Sequence, residues 1–218
     1  MVSLIVFFLC SPANLLIICV YYTERRCKVS LRELIIRNRS YRRFHEDVPV
    51  AGETLRECVD CARLSASAAN LQPLKYIISS TPETNARIFP NLAWAGYLRD
   101  WPGPSAGERP SAYIVILGNR KLSGFLEYDC GIAAQSILLA ASEKGLGGCI
   151  IASVRRAEMK TVFSIPDDHE ILVVIALGAP KEKVVIEAIE PAHGIMYWRD
   201  SEGVHHVPKR SLEEVIIG

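Results

Sequence analysis

The longest helical pattern in this 218-residue chain is EYDCGIAAQSILLAASEK, at residues 127–144. Small and apolar side chains cover nearly the whole circumference of this predicted helix between Ile132 and Ala141. A helix without a polar face lies either at the centre of a domain or in an interface between subunits. Gly145 and Gly147 follow directly, and glycine after a run of helix formers predicts a helix C-cap.

The segments on either side of this helix alternate between helical and strand patterns. A capping box, Ser30 with Glu33, predicts a first short helix that ends before Asn38. The alternation has no internal repeat, so we expect an α+β, or layered α/β, domain with helices packed on a sheet. The other predicted elements are helices at 53–64 and 154–163, a helix from Pro82, and strands at 75–80, 113–117, 149–152 and 171–177.

Composition limits the classes to which the protein can belong. Half of the residues are hydrophobic, and 25 lysines and arginines face 24 acidic residues, which gives a net charge of +1. The chain is long enough for one good core and too short for two ordinary domains. Its balanced charge provides no global attraction for nucleic acid. Seven cysteines without regular spacing favour a reducing compartment, so we expect a cytoplasmic protein.

Residues 2–22 are strongly apolar and have about the length that crosses a bilayer. Their positive flank, at residues 25–28, follows the apolar run, whereas a secretory signal carries positive charge before it. Two interpretations stay open for residues 1–28. In the first, the start of translation is mis-assigned, and residues 1–28 lie upstream of a domain at 29–218. In the second, residues 1–28 are a membrane anchor that keeps this domain on the cytoplasmic side.

Two basic segments suit a phosphate group. Arg39, Ser40 and Arg42 follow the first predicted helix, and Lys209 and Arg210 lie near the C-terminus. Guanidinium groups and a hydroxyl at a turn match a phosphate monoester, on which two distant segments can converge. A solvated charged turn is the alternative.

A polar loop, SAANLQP at residues 67–73, is a second candidate site. Small residues permit close approach of the backbone, and the amides of Asn70 and Gln72 can pair with a planar heterocycle. An ordinary polar loop is the alternative. The glycine-rich stretch at 145–148 follows a helix and lacks G-x-G-x-x-G spacing, so it does not indicate a dinucleotide fold.

Several other chemistries lack the residues that they need. His205 and His206 are adjacent, so in an extended chain they point to opposite faces and cannot chelate a metal together. The sequence has no G-x-S-x-G, H-E-x-x-H or Walker motif. Cys58 and Cys61 form C-x-x-C spacing within a helical pattern, but no second pair completes a metal site. We therefore expect no metal, and we interpret these cysteines as small apolar side chains, with a redox dithiol as the alternative.

Taken in order, these segments resemble the nitroreductase family of flavoproteins, from about residue 30 to the C-terminus. The sequence departs from the family pattern at Asn38, Ala66, Leu74 and Ser136, where arginine, proline, tryptophan and asparagine are common. The matching pieces are RSYRRF at 39–44 against R-S-x-R-x-F, ASAANLQP at 66–73 against P-S-x-x-N-x-Q-P-W, DCGIAAQ at 129–135 with GLG at 145–147 against D-x-G-x-A-x-Q…G-L-G, and the terminal PKR at 208–210.

The resemblance implies a nitroreductase-like fold with a mixed, mainly antiparallel central sheet flanked by helices. It also implies an intertwined homodimer with FMN at the subunit interface, and NADH or NADPH as electron donor. The flavin carries the hydride chemistry, so no catalytic protein residue is expected. The implied FMN-binding residues are Arg39, Ser40, Arg42, Ser67, Asn70, Gln72, Gln135, Gly147, Gly148, Ala152, Ser153, Lys209 and Arg210.

These implications predict an FMN-dependent oxidoreductase that reduces a small planar acceptor, such as a nitroaromatic or a quinone, by a ping-pong mechanism. Trp94, Tyr97 and Trp101, in the long loop at 94–110, are the candidate lid over the substrate. The alternative for this loop is packing on a partner subunit. The alternative functions are an FMN-binding or flavin-sensing module with little turnover, which a retained residue 2–22 segment would tether to the membrane, and other flavin chemistry on the same fold.

Overall fold

A five-stranded sheet is the framework of the computed structural model, which describes residues 29–191 and 194–218. Every ladder in this sheet is antiparallel, which confirms the mainly antiparallel character that the resemblance implied but not a mixed sheet. The longest strand, β5, pairs with β1, β3 and β4, and β3 in turn pairs with β2. The strands are β1 (Phe44–His45), β2 (Leu74–Ser79), β3 (Ala112–Gly118), β4 (Gly147–Ile151) and β5 (Glu170–Pro180).

Helices cover both faces of this sheet, so its central strand β3 is buried along its whole length. Alternate β3 side chains enter two different cores, because successive residues of a strand point to opposite faces. Ile114 packs with Leu55 and Ile137 on one face, and Tyr113 packs with Ile88 on the other. The helices are α1 (Leu31–Arg37), α2 (Gly52–Leu64), α3 (Pro82–Ile88), α4 (Leu126–Glu143), α5 (Arg156–Phe163) and α6 (Leu212–Val215).

Helix α4 is central, as its sequence predicted, and it buries Ala134, Ile137 and Ala141. It is not buried all round within one chain, because Tyr128 is 71% exposed and Ile132 is 40% exposed. These two residues lie on one helical stripe, at i and i+4. The apolar surface predicted for this helix is therefore divided between the core of the domain and an outward-facing stripe.

The glycines after α4 have two different roles. Gly145, at φ +78°, occupies the left-handed conformation that ends the helix. Gly147 and Gly148 instead begin β4, two residues before the predicted start of this strand. A Cβ atom on Gly148 would lie 2.8 Å from the carbonyl oxygen of Ala176, so close packing of β4 on β5 requires glycine there.

A second, smaller sheet near the C-terminus was not predicted. It consists of β6 (Val184–Ala188), β7 (Trp198–Arg199) and β8 (His205–Lys209), with β8 parallel to β6 and antiparallel to β7. The sequence of β8, HHVPK, gives little strand signal because it contains proline and lacks an apolar run. This small sheet matters for the site because His205 and Lys209 lie at the two ends of its strand β8.

Residues 31–218 form one compact unit. Within residues 29–191 and 194–218, no helix has the length and apolar character needed to cross a bilayer. The apolar run at 2–22 lies outside the described residues, so both interpretations of it stay predictions.

Candidate functional site

The basic segment after α1 lies directly against the first residues of β4. Ser40 forms a parallel bridge with Gly148, and the Tyr41 N–H donates to the Gly148 carbonyl oxygen at 3.0 Å. Two of the predicted site segments, which are far apart in the sequence, are therefore neighbours in the fold. Their contact also extends the edge of the main sheet.

The guanidinium groups of Arg39 and Arg42, on either side of Ser40, lack carboxylate partners within the described part of the chain. The Arg39 Nη2 donates to the carbonyl oxygen of Ile35 at 2.6 Å, while its buried Nε has no hydrogen-bond partner there. The Arg42 Nη1 donates to the Ser40 carbonyl oxygen at 3.2 Å. Two positive charges beside one hydroxyl form a local anion-binding environment.

Arg43 is different, because its guanidinium is already paired. Its Nε and Nη2 donate to the two carboxylate oxygens of Glu108, at 2.7 and 2.5 Å. This bidentate pair fixes the loop that contains Glu108 to the strand that follows Arg43. Of the three arginines in RSYRRF, the structure therefore leaves Arg39 and Arg42 available for an anion.

Two residues outside the predicted site hold the Arg42 backbone and side chain. The Glu182 carboxylate is fully buried and accepts from the backbone N–H groups of Arg42 and Arg43 and from the Arg199 Nη2, the last at 2.9 Å. His205 is 1% exposed, and its Nε2 lies 3.2 Å from the Arg42 Nη1. Glu182 stands in a charged K-E-K stretch that reads as solvated surface, so no sequence signal marked it.

The His205 ring is neutral at pH 7. Burial, together with the nearby charge of Arg42, lowers the pKa of His205 to about 4. Because arginine can only donate, the His205 Nε2 accepts from it and the ring proton lies on Nδ1. The guanidinium of Arg42 also lies 4.9 Å from the centre of the Tyr197 ring. Arg42 is thus held in place by contacts that do not neutralise its charge.

The polar loop at 67–73 is anchored to α4 by Asp129, which is 3% exposed. The carboxylate of Asp129 accepts from the Ser67 Oγ at 3.0 Å and from the Ala68 N–H at 2.8 Å. The Ser67 Oγ in turn accepts from the Gln72 N–H at 3.0 Å. Asp129 stands in the quoted motif, and the structure explains it as the residue that positions this loop.

The same loop has unusual backbone conformations. Ala69, Asn70 and Gln72 have φ values of 48°, 55° and 49°, in the left-handed region that non-glycine residues rarely adopt. Such conformations persist where the surrounding structure fixes them, and they concentrate at functional sites. The side chains of Asn70 and Gln72 are exposed, so they are accessible to a ligand.

Helix α4 connects the two halves of the predicted site. Gln135 lies 3.5 Å from the Asn38 side chain, next to the basic segment. Asp129, which holds the polar loop, is six residues earlier on α4, or about 9 Å along the helix axis. The halves therefore lie along one helix, although the described residues show no hydrogen bond or ion pair between 39–42 and 67–72.

Lys209 and Arg210 are not brought to the basic segment within one chain. The β8 strand contacts Arg42 through His205 at its start, and Lys209 follows about 13 Å further along the strand. Arg210 lies 3.7 Å from Glu214. Ala152 and Ser153 follow β4 and are exposed, and the Ser153 carbonyl oxygen accepts from the Ala93 N–H at 3.0 Å. The roles of these four residues stay predictions.

The candidate lid divides into two parts. Trp94 packs into the core beside Phe89, with ring centres 6.0 Å apart. Tyr97 and Trp101 instead contact the C-terminal region, where Tyr97 packs on Tyr197 at 4.8 Å and Trp101 lies 4.8 Å from the Arg199 guanidinium. Because Tyr197 also contacts Arg42, the Tyr97 end of the loop is next to the basic segment.

The C-x-x-C pair lies on α2 and forms no disulfide. Cys58 is fully buried and Cys61 is exposed. Burial, with a smaller contribution from Cys61, raises the pKa of Cys58 to about 11. A thiol that stays protonated is a poor nucleophile, which favours the interpretation of Cys58 as a core side chain.

The nitroreductase family model matches residues 35–102 and 101–179. A protein of Methanothermobacter thermautotrophicus, assigned as an NADH dehydrogenase/NAD(P)H nitroreductase, is 31% identical over 161 residues, which cover 71% of this chain and 80% of that protein. A nitroreductase family protein of Streptococcus pneumoniae has a similar structure, with a TM-score of 0.61 at 20% identity over 75% of this chain and 96% of that one. The NADPH:FMN oxidoreductase of Vibrio harveyi, solved with NAD+, gives a TM-score of 0.58 at 23% identity over 74% of each chain. The chain belongs to the nitroreductase family.

Proposed function

We propose that this protein is an FMN-dependent oxidoreductase that takes hydride from NADH or NADPH and reduces a small planar acceptor. The observation that carries the proposal is the arrangement of Arg39 and Arg42 around Ser40, against the glycines of β4. The Vibrio harveyi protein, whose name states that it uses NADPH and FMN, supports the choice of cofactor and electron donor.

The residues of the basic segment fit the phosphate of FMN. The buried Arg39 Nε has no partner in the described residues, and an unpartnered buried donor is costly unless a ligand accepts from it. Phosphate oxygens accept charge-assisted hydrogen bonds from guanidinium groups, and the Ser40 hydroxyl can add another. Asn70 and Gln72, on the loop held by Asp129, offer amide donors and acceptors to the flavin ring.

FMN, when bound, supplies the hydride chemistry, alternately as acceptor from the nicotinamide and as donor to the substrate. The residues of the chain bind and orient. Glu182 and His205 fix the position of Arg42 without cancelling its charge, and Asp129 fixes the polar loop. The Tyr197 ring lies beside Arg42 and Tyr97 packs on it, so these two rings would exclude water from one side of a bound flavin ring.

We also propose that two copies associate through α1 and the exposed stripe of α4. Asn38, after α1, contacts Gln135 of α4, so these helices share one surface. This surface exposes five large hydrophobic side chains. Single exposed hydrophobic residues are normal on a monomer, whereas a group of them on one surface marks an interaction site. They are Leu31 (63% exposed), Ile35 (44%), Ile36 (43%), Tyr128 (71%) and Ile132 (40%). A second copy would bring another set of site segments, including Lys209 and Arg210, to the flavin.

The four cysteines within the described residues, Cys58, Cys61, Cys130 and Cys149, are unpaired. Unpaired thiols support our placement of the domain in a reducing compartment, the cytoplasm.

The decisive experiment is the visible spectrum of the purified full chain, saturated with FMN and then mixed anaerobically with NADH and, separately, NADPH. Bleaching of the bound flavin is the expected result and identifies the electron donor. A bound flavin that stays oxidised with both donors would favour the binding or sensing module. Protein that takes up no FMN would contradict the proposal.

A further inference from the structure

A cavity separate from the proposed flavin site lies on the face of the sheet covered by α3, between β1 and the start of β3. It has a volume of about 370 Å³, within the usual range for small-molecule sites. Its lining contains none of the residues that we propose for FMN. The lining residues on which the inference rests are Glu46, Asp47, Phe89, Arg109, Ser111 and Tyr113.

Three hydrogen-bond donors of this cavity are buried and lack partners in the described part of the chain. They are the Arg109 Nε, the Ser111 Oγ and the Tyr113 Oη. Tyr113 is 0% exposed and Ser111 is 8% exposed, and they are two residues apart on an extended segment, so their side chains share one face. Unsatisfied buried donors are rare and destabilising, and three at one cavity indicate a bound hydrogen-bond acceptor.

The other polar groups of the cavity hold its walls in place. The Asn85 Nδ2 donates to the Ser111 carbonyl oxygen at 2.8 Å, and Glu46 accepts from the Gly107 N–H at 2.5 Å. The Arg109 guanidinium lies over the Phe89 ring, 4.4 Å from its centre. This stacked pair provides a flat wall, and its orientation leaves the Nε without a partner.

The charges of the lining decide against an anionic ligand. Arg109 carries one positive charge, whereas Glu46 and Asp47 carry two negative charges, so the sum at neutral pH is negative. Burial also raises the pKa of the Tyr113 phenol well above its usual value, so this group stays protonated and donates. A ligand therefore needs an acceptor for the donors, a flat apolar body for the Phe89 wall, and no negative charge.

We propose that this cavity is a second binding site, separate from the flavin site, for a small uncharged aromatic molecule with a carbonyl acceptor, of the aromatic amide class. The carbonyl oxygen accepts from the Tyr113 Oη and the Ser111 Oγ, while the ring packs beside Phe89.

The test is calorimetric titration of the full chain, saturated with FMN, with benzamide and with benzoate. We expect benzamide to bind more tightly than benzoate. Tyr113→Phe, which removes one hydroxyl and keeps the ring, is expected to weaken benzamide binding about fivefold, the effect of one lost hydrogen bond. Ser111→Ala is expected to do the same. Ser201→Ala, the same change as Ser111→Ala in an exposed turn, is the control and is expected to bind like the unmodified chain.

Tyr97→Phe reports on the alternative location, beside the flavin. Unchanged benzamide binding in both Tyr113→Phe and Ser111→Ala would overturn the proposal, and weaker binding in Tyr97→Phe would then place the probe at the flavin. Tighter binding of benzoate than of benzamide, or no heat of binding up to the solubility limit of benzamide, would also overturn it. If either cavity variant loses its native circular dichroism spectrum, the other one decides.

Discussion

Arg42 and Arg43 are adjacent in the chain, yet the structure gives their side chains opposite tasks. Arg43 forms a bidentate pair with Glu108, whereas the Arg42 guanidinium contacts a neutral histidine, an aromatic ring and a carbonyl oxygen. A cation paired with a carboxylate has little attraction left for a phosphate. The motif RSYRRF thus contains one arginine that is occupied by a structural ion pair and two, Arg39 and Arg42, that we propose for phosphate binding, and only the contacts distinguish them.

At the residue scale, we expect Arg42→Ala to lower FMN affinity about 10- to 100-fold, because one charge-assisted hydrogen bond to the phosphate is lost. Titration of the protein with FMN, followed by quenching of flavin fluorescence, measures the change. Arg56→Ala removes the same charge from the exposed surface of α2, away from the proposed dimer interface, and serves as the matched control. An Arg42→Ala protein that binds FMN as tightly as the Arg56→Ala protein would exclude Arg42 from the phosphate site.

At the scale of elements, one carboxylate joins a loop to a helix. We expect Asp129→Ala to lower the free energy of unfolding by about 2 kcal/mol, because the Ser67 hydroxyl and the Ala68 N–H lose their acceptor. We also expect weaker FMN binding, because the left-handed conformations of Asn70 and Gln72 lose their support. Urea unfolding and FMN titration measure the two effects.

Asp60→Ala is the control for Asp129→Ala. The Asp60 ion pair with Arg63 on α2 is exposed, so it contributes less than about 1 kcal/mol to the free energy of unfolding. The anchoring role of Asp129 would be wrong if Asp129→Ala lost no more stability than Asp60→Ala. Lost stability with unchanged FMN affinity would show instead that the loop does not contact the flavin.

A second element, the end of the loop at 94–110, is fixed by Glu108. This carboxylate contacts Arg43 just before β1 and lies 3.3 Å from the Lys181 Nζ just after β5. The hydrogen bond from Arg43 lowers the pKa of Glu108 from 4.5 to about 2. As the pH falls, Glu108 therefore binds a proton in the unfolded chain before it does so in the folded chain. Its contribution to stability is complete above pH 4.5 and is lost as the pH falls towards 2.

We expect Glu108→Gln to lower the free energy of unfolding at neutral pH by about 1 kcal/mol. The difference between the variant and the unmodified chain is expected to shrink as the pH falls through the window below 4.5. Urea unfolding at several pH values measures this, with Glu202→Gln in an exposed turn as control. A stability difference that does not change with pH would contradict the ionic role of Glu108.

At the scale of the whole molecule, the sequence predicted those features that depend on local pattern. Local signals of this kind are the helical periodicity of α4, the apolar runs of β3 and β5, and the motif around Asp129. Each can be recognised from residues that are close together in the sequence. The small C-terminal sheet escaped prediction because β7 has only two residues and β8 contains a proline and no apolar run, which left the short apolar run of β6 without a recognisable partner strand. Glu182 and His205 escaped because their importance lies in contacts with Arg42, about 140 and 163 positions away, which no local pattern records.

The sequence also predicted an apolar surface on α4, and the structure divides it between the core and an exposed stripe. If that stripe joins two copies, a charge placed on it must be buried at the interface, which is strongly unfavourable without a partner. We therefore expect the unmodified chain to be a dimer and Ile132→Glu to be a monomer, as measured by sedimentation equilibrium. Ile186→Glu makes the same change at a residue of similar exposure on β6, 42% against 40%, and is expected to remain dimeric.

Dissociation in both variants would indicate a general effect of added charge, and an Ile132→Glu dimer would move the interface away from α4. Because we propose that FMN lies between the two copies, the monomeric variant is also expected to bind FMN more weakly than the Ile186→Glu dimer.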